Sequence, residues 1–183
     1  MAKLLIVYAT TEGHTGKLAR YLCDLLVDLG HEVQLAAAQD LYRSTNLAAY
    51  DAFIVGASVH EGKHQDSVSH FVKDNLEQLS RVPCAFFSVS LNAALDDFEH
   101  REETQGYLNE FLAETGFHPD RSALVAGALL NTEYDYFKRE LMTYLTRRTV
   151  GKTNLEQDYD FTDYEQLETF VQEFLDDVVN VKP

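Results

Sequence analysis

Two kinds of hydrophobic pattern alternate along this chain of 183 residues. Short, nearly continuous apolar runs are typical of strands buried on both faces of a parallel sheet, whereas apolar residues three and four positions apart are typical of amphipathic helices. The apolar runs predict strands at residues 3–9, 32–37, 52–57, 83–90 and 122–128. The helical spacing predicts helices at residues 15–29, 65–79, 106–115 and 163–179.

This alternation predicts an α/β fold with a doubly wound parallel sheet. Five strands joined by crossover connections match the strand order 2-1-3-4-5, in which a mononucleotide binds beyond the carboxyl ends of the strands. Residues 38–50 are less regular, and only a short helix is expected there. Because 45% of the residues are apolar, the chain can bury one substantial core, and we expect a single domain over residues 1–183.

Composition narrows the class of protein further. No run approaches the roughly 20 apolar residues that span a bilayer, and strand-like sequence follows the N-terminus, so we expect a cytoplasmic protein. The formal net charge of −15 and the pI near 4.7 argue against a nucleic-acid partner, because a polyanion would be repelled. Cys23 and Cys84 form no C-x-x-C motif and are predicted to be buried, reduced thiols.

The junction between the first strand and the first helix has the chemistry of an anion site. It consists of Thr10, Thr11, Glu12, Gly13, His14 and Thr15. Three hydroxyls and the unpaired N–H groups of the helix start would converge on the anion. The loop has neither the G-x-G-x-x-G pattern of dinucleotide sites nor a Walker lysine, and its neutral donors suit the phosphate of flavin mononucleotide (FMN). The alternative is an ordinary helix start capped by Thr11 or Thr15.

Two further loops follow the third and fourth strands at the same end of the predicted sheet. Their small and hydroxylated residues would let backbone amides approach the polar edge of a planar ring. The predicted cofactor contacts are Ser58, Val59, His60 and Gly62 in one loop and Ser88, Val89, Ser90, Leu91 and Asn92 in the other. Such residues are also common in ordinary turns, so the prediction depends on the convergence of three loops.

Residues 60–64 match the H-E-x-x-H pattern of zinc proteases. That pattern binds zinc only within a helix, where both histidines share one face. Here it follows a strand directly and has a glycine at its centre. We therefore predict that the next helix begins after it and that it forms no metal site.

Together these residues resemble the flavodoxin-like superfamily and, more narrowly, the menaquinone-dependent protoporphyrinogen IX dehydrogenase family of bacteria. The similar segments are residues 10–15, 50–51, 55–58, 85–89, 119–121, 126–129 and 159–170. The resemblance implies FMN-dependent oxidation of protoporphyrinogen IX to protoporphyrin IX in heme biosynthesis, with menaquinone or another quinone as electron acceptor. FMN carries the chemistry in this family, so no catalytic side chain is expected. A peripheral contact with the inner face of the plasma membrane is also implied.

The family carries a long insertion around its last strand, which corresponds here to residues 131–158. It contains a cluster of basic residues interleaved with aromatic ones, the chemistry that an apolar macrocycle with two propionates requires. The predicted substrate-binding residues are Arg147, Arg148 and Lys152. The alternative is an amphipathic helix over residues 136–145 with solvated charges. Residues 95–103 depart from the family, because they are acidic where a basic stretch is expected, and they would repel propionates and anionic lipid.

Two other functions are consistent with the sequence. One is a flavodoxin-like FMN electron-transfer protein that docks a redox partner through its acidic surface, which the net charge favours. The other is an NAD(P)H-dependent quinone reductase, for which the sequence contains no recognisable nucleotide fingerprint. The basic and aromatic insertion favours the dehydrogenase.

Overall fold

A parallel sheet forms the centre of the computed structural model, which describes residues 1–41, 45–95, 97–129 and 159–176. The strands are β1 (Lys3–Ala9), β2 (Glu32–Ala37), β3 (Ala52–His60), β4 (Lys63–His64), β5 (Cys84–Ser90), β6 (Arg121–Ala126), β7 (Ala128–Leu129) and β8 (Tyr159–Asp160). The central order is β2-β1-β3-β5-β6, with every neighbouring pair parallel. Because β4 is only a short antiparallel partner of β3, this confirms the predicted doubly wound order.

Helices cover both faces of this sheet, as the strand pattern predicts. They are α1 (His14–Asp28), α2 (Asp66–Asp74), α3 (Leu76–Leu79), α4 (Phe98–Thr115) and α5 (Tyr164–Phe174). One apolar layer joins the sheet to α1 and α5 through Leu22 and Phe170, and the other joins it to α2 and α4 through Val72 and Phe111. The strands in the middle of the sheet are therefore covered on both sides, which explains their continuous apolar sequence.

One glycine makes room for an aromatic ring of the neighbouring central strand. Gly56 of β3 lies opposite Phe87 of β5, and a Cβ atom on Gly56 would lie 2.0 Å from Phe87 Cζ. Any larger residue at this position would displace the phenyl ring from the layer beneath α1. We infer that Gly56 is needed for packing and not for a ligand.

The structure corrects several predicted boundaries. The helix predicted at residues 65–79 is interrupted at Asn75, whose Nδ2 donates to the Phe71 carbonyl at 2.7 Å. The helix predicted at residues 106–115 begins much earlier, at Phe98. Asp97 is its N-cap, because the Asp97 side chain accepts a hydrogen bond from the His100 amide. Where one short helix was expected in residues 38–50, the described residues 38–41 and 45–50 contain two short 3-10 turns, Ala38–Asp40 and Leu47–Ala49. Cys84 is buried, but Cys23 is only half-buried, contrary to prediction.

The last predicted strand is divided in two. β6 ends at Ala126, and β7 leaves the central sheet to pair antiparallel with β8, with Ala128 opposite Asp160. The predicted insertion, residues 131–158, lies between these two strands and outside the described residues. Within the described part of the chain, no helix has the length and apolar character needed to cross a bilayer.

Candidate functional site

A cavity of about 310 Å³ opens at the carboxyl ends of β1, β3 and β5. The structure brings the three predicted loops together around it, and every predicted cofactor residue lines it except Gly13 and Ser88. The lining residues that the sequence did not predict are Glu61, Tyr107, Gly127 and Ala128. The site therefore lies where a doubly wound sheet places its ligand.

A left-handed glycine and one hydrogen bond from its amide to a threonine hydroxyl organise the loop after β1. Gly13 adopts a left-handed conformation with φ 89°, and its amide donates to Thr10 Oγ1 at 2.9 Å. α1 then begins at His14 with no side-chain cap, so neither Thr11 nor Thr15 caps it. The predicted alternative of a threonine-capped helix is wrong, and the N–H groups of the first turn face the end of the loop.

Thr15 carries a buried polar atom that has no hydrogen-bond partner in the described structure. The residue is fully buried at 0% exposure, and its Oγ1 has no hydrogen-bond partner among the described residues. An unpaired buried hydroxyl costs about 1 to 3 kcal/mol, so such atoms are rare without a ligand or water partner. Because Thr15 lines the cavity at a helix start, the site fits a ligand with an anionic, hydrogen-bond-accepting group.

Gln65 connects two of the three loops, although it does not itself line the cavity. Its Nε2 donates to Thr11 Oγ1 at 3.0 Å and also to the Ser58 hydroxyl. Its Oε1 is buried and has no partner among the described residues. Gln65 was not predicted as a site residue, because no local pattern relates it to Thr11.

Residues 60–64 form a β-hairpin and no helix. Glu61 and Gly62 have φ values of 49° and 78°, the positive values that a two-residue hairpin turn requires, and His60 pairs with Lys63. The two histidines consequently separate: His60 lines the cavity, whereas His64 is buried in the core. The prediction of a non-helical segment is confirmed, and no metal-binding cluster occurs among the residues that the structure describes.

Ser88 is a correction to the predicted cofactor contacts. Its hydroxyl lies 2.8 Å from His64 Nε2, and the His64 ring packs 4.9 Å from the ring of Phe111. Side chains alternate along a strand, so Ser88 shares the face of Phe86 and points into the layer beneath α4. Burial lowers the pKa of His64 to about 4, which keeps its imidazole neutral at pH 7.

Tyr107 completes the cavity from α4. Glu103, one turn earlier, accepts hydrogen bonds from the Tyr107 hydroxyl and from Asn92 Nδ2, the latter at 2.7 Å. Burial, with the bond to Glu103, raises the pKa of Tyr107 to about 12, so the phenol stays protonated. Two carboxylates of the acidic stretch thus have local tasks: Asp97 caps α4, and Glu103 orients two cavity residues.

Tyr107 lies within the helix predicted at residues 106–115, but the sequence did not assign it to the site, and the first half of α4, which carries Glu103, was missed. The segment before residue 106 is highly charged, and Phe98, its first residue, is 75% exposed. Apolar periodicity is therefore absent where the helix begins. The signal that could have found it is Asp97 as a helix cap followed by the Glu103–Tyr107 spacing of one turn.

The predicted substrate-binding residues Arg147, Arg148 and Lys152 lie outside the described residues. Their assignment remains a prediction from the sequence.

Comparisons with known proteins identify the family to which this sequence is similar. Residues 5–156 match the model of the flavodoxin domain family. The chain is 30% identical over 171 residues to the protoporphyrinogen IX dehydrogenase [quinone] of Escherichia coli K12, covering 93% of each chain. It is also 30% identical to the protein of that name from Leishmania major, covering 94% of this chain and 74% of the relative.

Among solved structures, oxidised flavodoxin 1 from Bacillus cereus superposes with a TM-score of 0.55 at 18% identity, covering 97% of this chain and 99% of the flavodoxin. A short-chain flavodoxin associated with a non-canonical PDU bacterial microcompartment superposes with a TM-score of 0.52 at 17% identity, covering 81% of this chain and all of the other. At these identities the superpositions establish the shared fold alone.

Proposed function

Because this chain belongs to the flavodoxin-like family that includes the protoporphyrinogen IX dehydrogenases, we propose that it oxidises protoporphyrinogen IX to protoporphyrin IX with FMN as cofactor and a quinone as acceptor. The observation that carries the proposal is the cavity at the switch point of the sheet. It contains a hydroxyl-rich helix start at one end and, at the other, two loops that can flank a planar ring.

The residues present fit FMN. Thr10, Thr11 and Thr15, with the first N–H groups of α1, would hold the phosphate, and the buried Thr15 hydroxyl would gain the partner it lacks. The β3–β4 hairpin and the loop after β5 would flank the ring system. When bound, FMN supplies two-electron redox chemistry, and three such cycles complete the oxidation of protoporphyrinogen.

The protein's own side chains would position the ring and set the charge around it. Glu103, which does not line the cavity, accepts hydrogen bonds from the Asn92 amide and the Tyr107 phenol, which do. The Tyr107 phenol stays uncharged, so the negative charge in this part of the site belongs to the carboxylates. No acid–base constellation is required of the protein, since the cofactor carries the electrons.

A second function, an FMN electron carrier without porphyrin activity, is favoured by one observation. Glu99 and Glu102 are exposed on α4, the helix that also brings Tyr107 to the cavity. With a net charge of −15, this face suits a basic redox partner. The same carboxylates disfavour a substrate with two propionates.

One experiment separates the two functions. The protein is loaded with FMN, and protoporphyrinogen IX is added under anaerobic conditions with and without a menaquinone analogue. The dehydrogenase produces porphyrin fluorescence only with both FMN and quinone, and the apoprotein serves as the control. An FMN-loaded protein that leaves the oxidation rate at its uncatalysed value would overturn the dehydrogenase and leave the carrier.

A further inference from the structure

The strand β8 is too short to hold itself in place. It pairs with β7 through two residues only, and such a ladder is marginal without other support. The support comes from α1 and α5. Asp160 accepts a hydrogen bond from Lys17 Nζ at 2.7 Å and one from the Tyr164 hydroxyl at 2.9 Å. Burial alone would raise the pKa of Asp160, but these bonds and those from Thr162 hold it well below its usual range.

A second support runs through His14 and reaches the cavity. His14 Nε2 lies 2.9 Å from Thr162 Oγ1, which donates its own proton to the Ala126 carbonyl at 3.0 Å. A hydroxyl has one proton, so Nε2 of His14 must be the donor, and its Nδ1 is then an acceptor. His14 is buried, which lowers its pKa, and it lines the cavity next to Thr15.

We propose that His14 is a positioning residue that couples cofactor binding at the loop after β1 to the docking of β8. The proposal rests on FMN as the ligand of the proposed function. His14 belongs to both structures: it lies in the cavity wall, and its ring holds Thr162, 148 positions away in the sequence. A ligand that orders this loop therefore stabilises the His14–Thr162 bond, and by reciprocity docked β8 strengthens ligand binding.

The test uses Thr162→Val, which removes the hydrogen bond between His14 and Thr162, together with the one from Thr162 to the Ala126 carbonyl, without changing a cavity residue. The matched control is Thr169→Val, because the Thr169 hydroxyl donates within α5, among the described residues, to the Glu165 carbonyl at 2.8 Å. FMN affinity is measured by titrating each apoprotein. We expect roughly a 3- to 10-fold loss for Thr162→Val, the equivalent of one neutral hydrogen bond, and no change for the control.

Hydrogen exchange provides the readout that a merely structural role would not change. The Phe161 amide donates to the Gly127 carbonyl at 3.1 Å and reports the docking of β8. In the unmodified protein FMN should slow its exchange. In Thr162→Val this FMN-dependent slowing should disappear, and Thr162→Ser, which keeps the hydroxyl, should restore it.

Two results would overturn the coupling: an exchange rate at Phe161 that FMN does not change, or Thr162→Val binding FMN as tightly as the control. If Thr162→Val does not fold, Lys17→Met takes its place in the test. It removes the exposed ion pair between Lys17 and Asp160, which weakens the docking of β8, and it should lower FMN affinity in the same way. Failure to bind FMN overturns both proposals. FMN binding with intact coupling but without porphyrin turnover overturns the proposed reaction alone.

Discussion

Replacing Thr15 with valine should change cofactor affinity and protein stability in opposite directions. Valine has nearly the same shape, so it removes a buried hydroxyl that has no partner in the described structure. Relief of that unpaired group should leave the apoprotein equally stable or stabilise it by up to about 1 to 3 kcal/mol. If the hydroxyl binds a phosphate, FMN should bind about 10- to 150-fold more weakly, from a charged hydrogen bond of roughly 1.5 to 3 kcal/mol.

Thr115→Val is the matched control for this experiment. Thr115 is also buried, but its hydroxyl donates to the Phe111 carbonyl at 2.7 Å and accepts from the Phe117 amide. This variant should lower the free energy of unfolding by about 1 kcal/mol and leave FMN affinity unchanged. Urea unfolding of the apoproteins and calorimetric titration with FMN measure both quantities. A Thr15→Val protein that is destabilised yet binds FMN normally would show that the hydroxyl is structural and that the phosphate binds elsewhere.

Three other predictions test the surroundings of the site. Burial lowers the pKa of His64 from 6.5 to about 4, so the unfolded state takes up the proton at a higher pH than the folded state does. The free energy of unfolding should therefore decrease by up to about 3 kcal/mol as the pH falls from 6.5 to 4, and His64→Gln should remove this dependence. Gln65→Leu breaks two hydrogen bonds between loops and should weaken FMN binding about 10-fold in the same titration. Changing Arg147, Arg148 and Lys152 to Gln should raise the KM for protoporphyrinogen by the equivalent of about 1 to 3 kcal/mol while FMN affinity stays constant.

Each of these has a result that contradicts it. An unaltered pH slope in His64→Gln would mean that other groups produce the acid sensitivity. Normal FMN affinity in Gln65→Leu would show that the two loops are held together without the amide. For the basic triple variant, Arg121→Gln is the control, because Arg121 lies outside the insertion and forms a 2.6 Å ion pair with Glu173 of α5. Equal KM values for the two would leave the insertion without a role in substrate binding.

Strand residues were easier to predict than the helix that closes the site. The run from Lys3 to Ala9 matches β1, because burial on two faces leaves a continuous apolar run. The pattern at residues 32–37 matches β2, an edge strand in which exposed and half-buried positions alternate at the start. The start of α4 left no such trace, since its first turns face solvent and Phe98 is exposed. Ser88 was assigned to the site because it lies near the carboxyl end of a strand, but strand alternation directs its side chain into the layer beneath α4.

The sequence by itself determined the doubly wound sheet, the three loops at its edge and the threonine and serine residues that line the cavity. These features follow from local patterns, in which neighbouring residues record their own burial and turn conformation. Only the tertiary structure decided that the Thr15 hydroxyl is buried without a partner, that Gln65 joins Thr11 to Ser58, and that His14 holds Thr162. Such contacts join residues far apart in the chain, and their geometry depends on how helices and strands pack together.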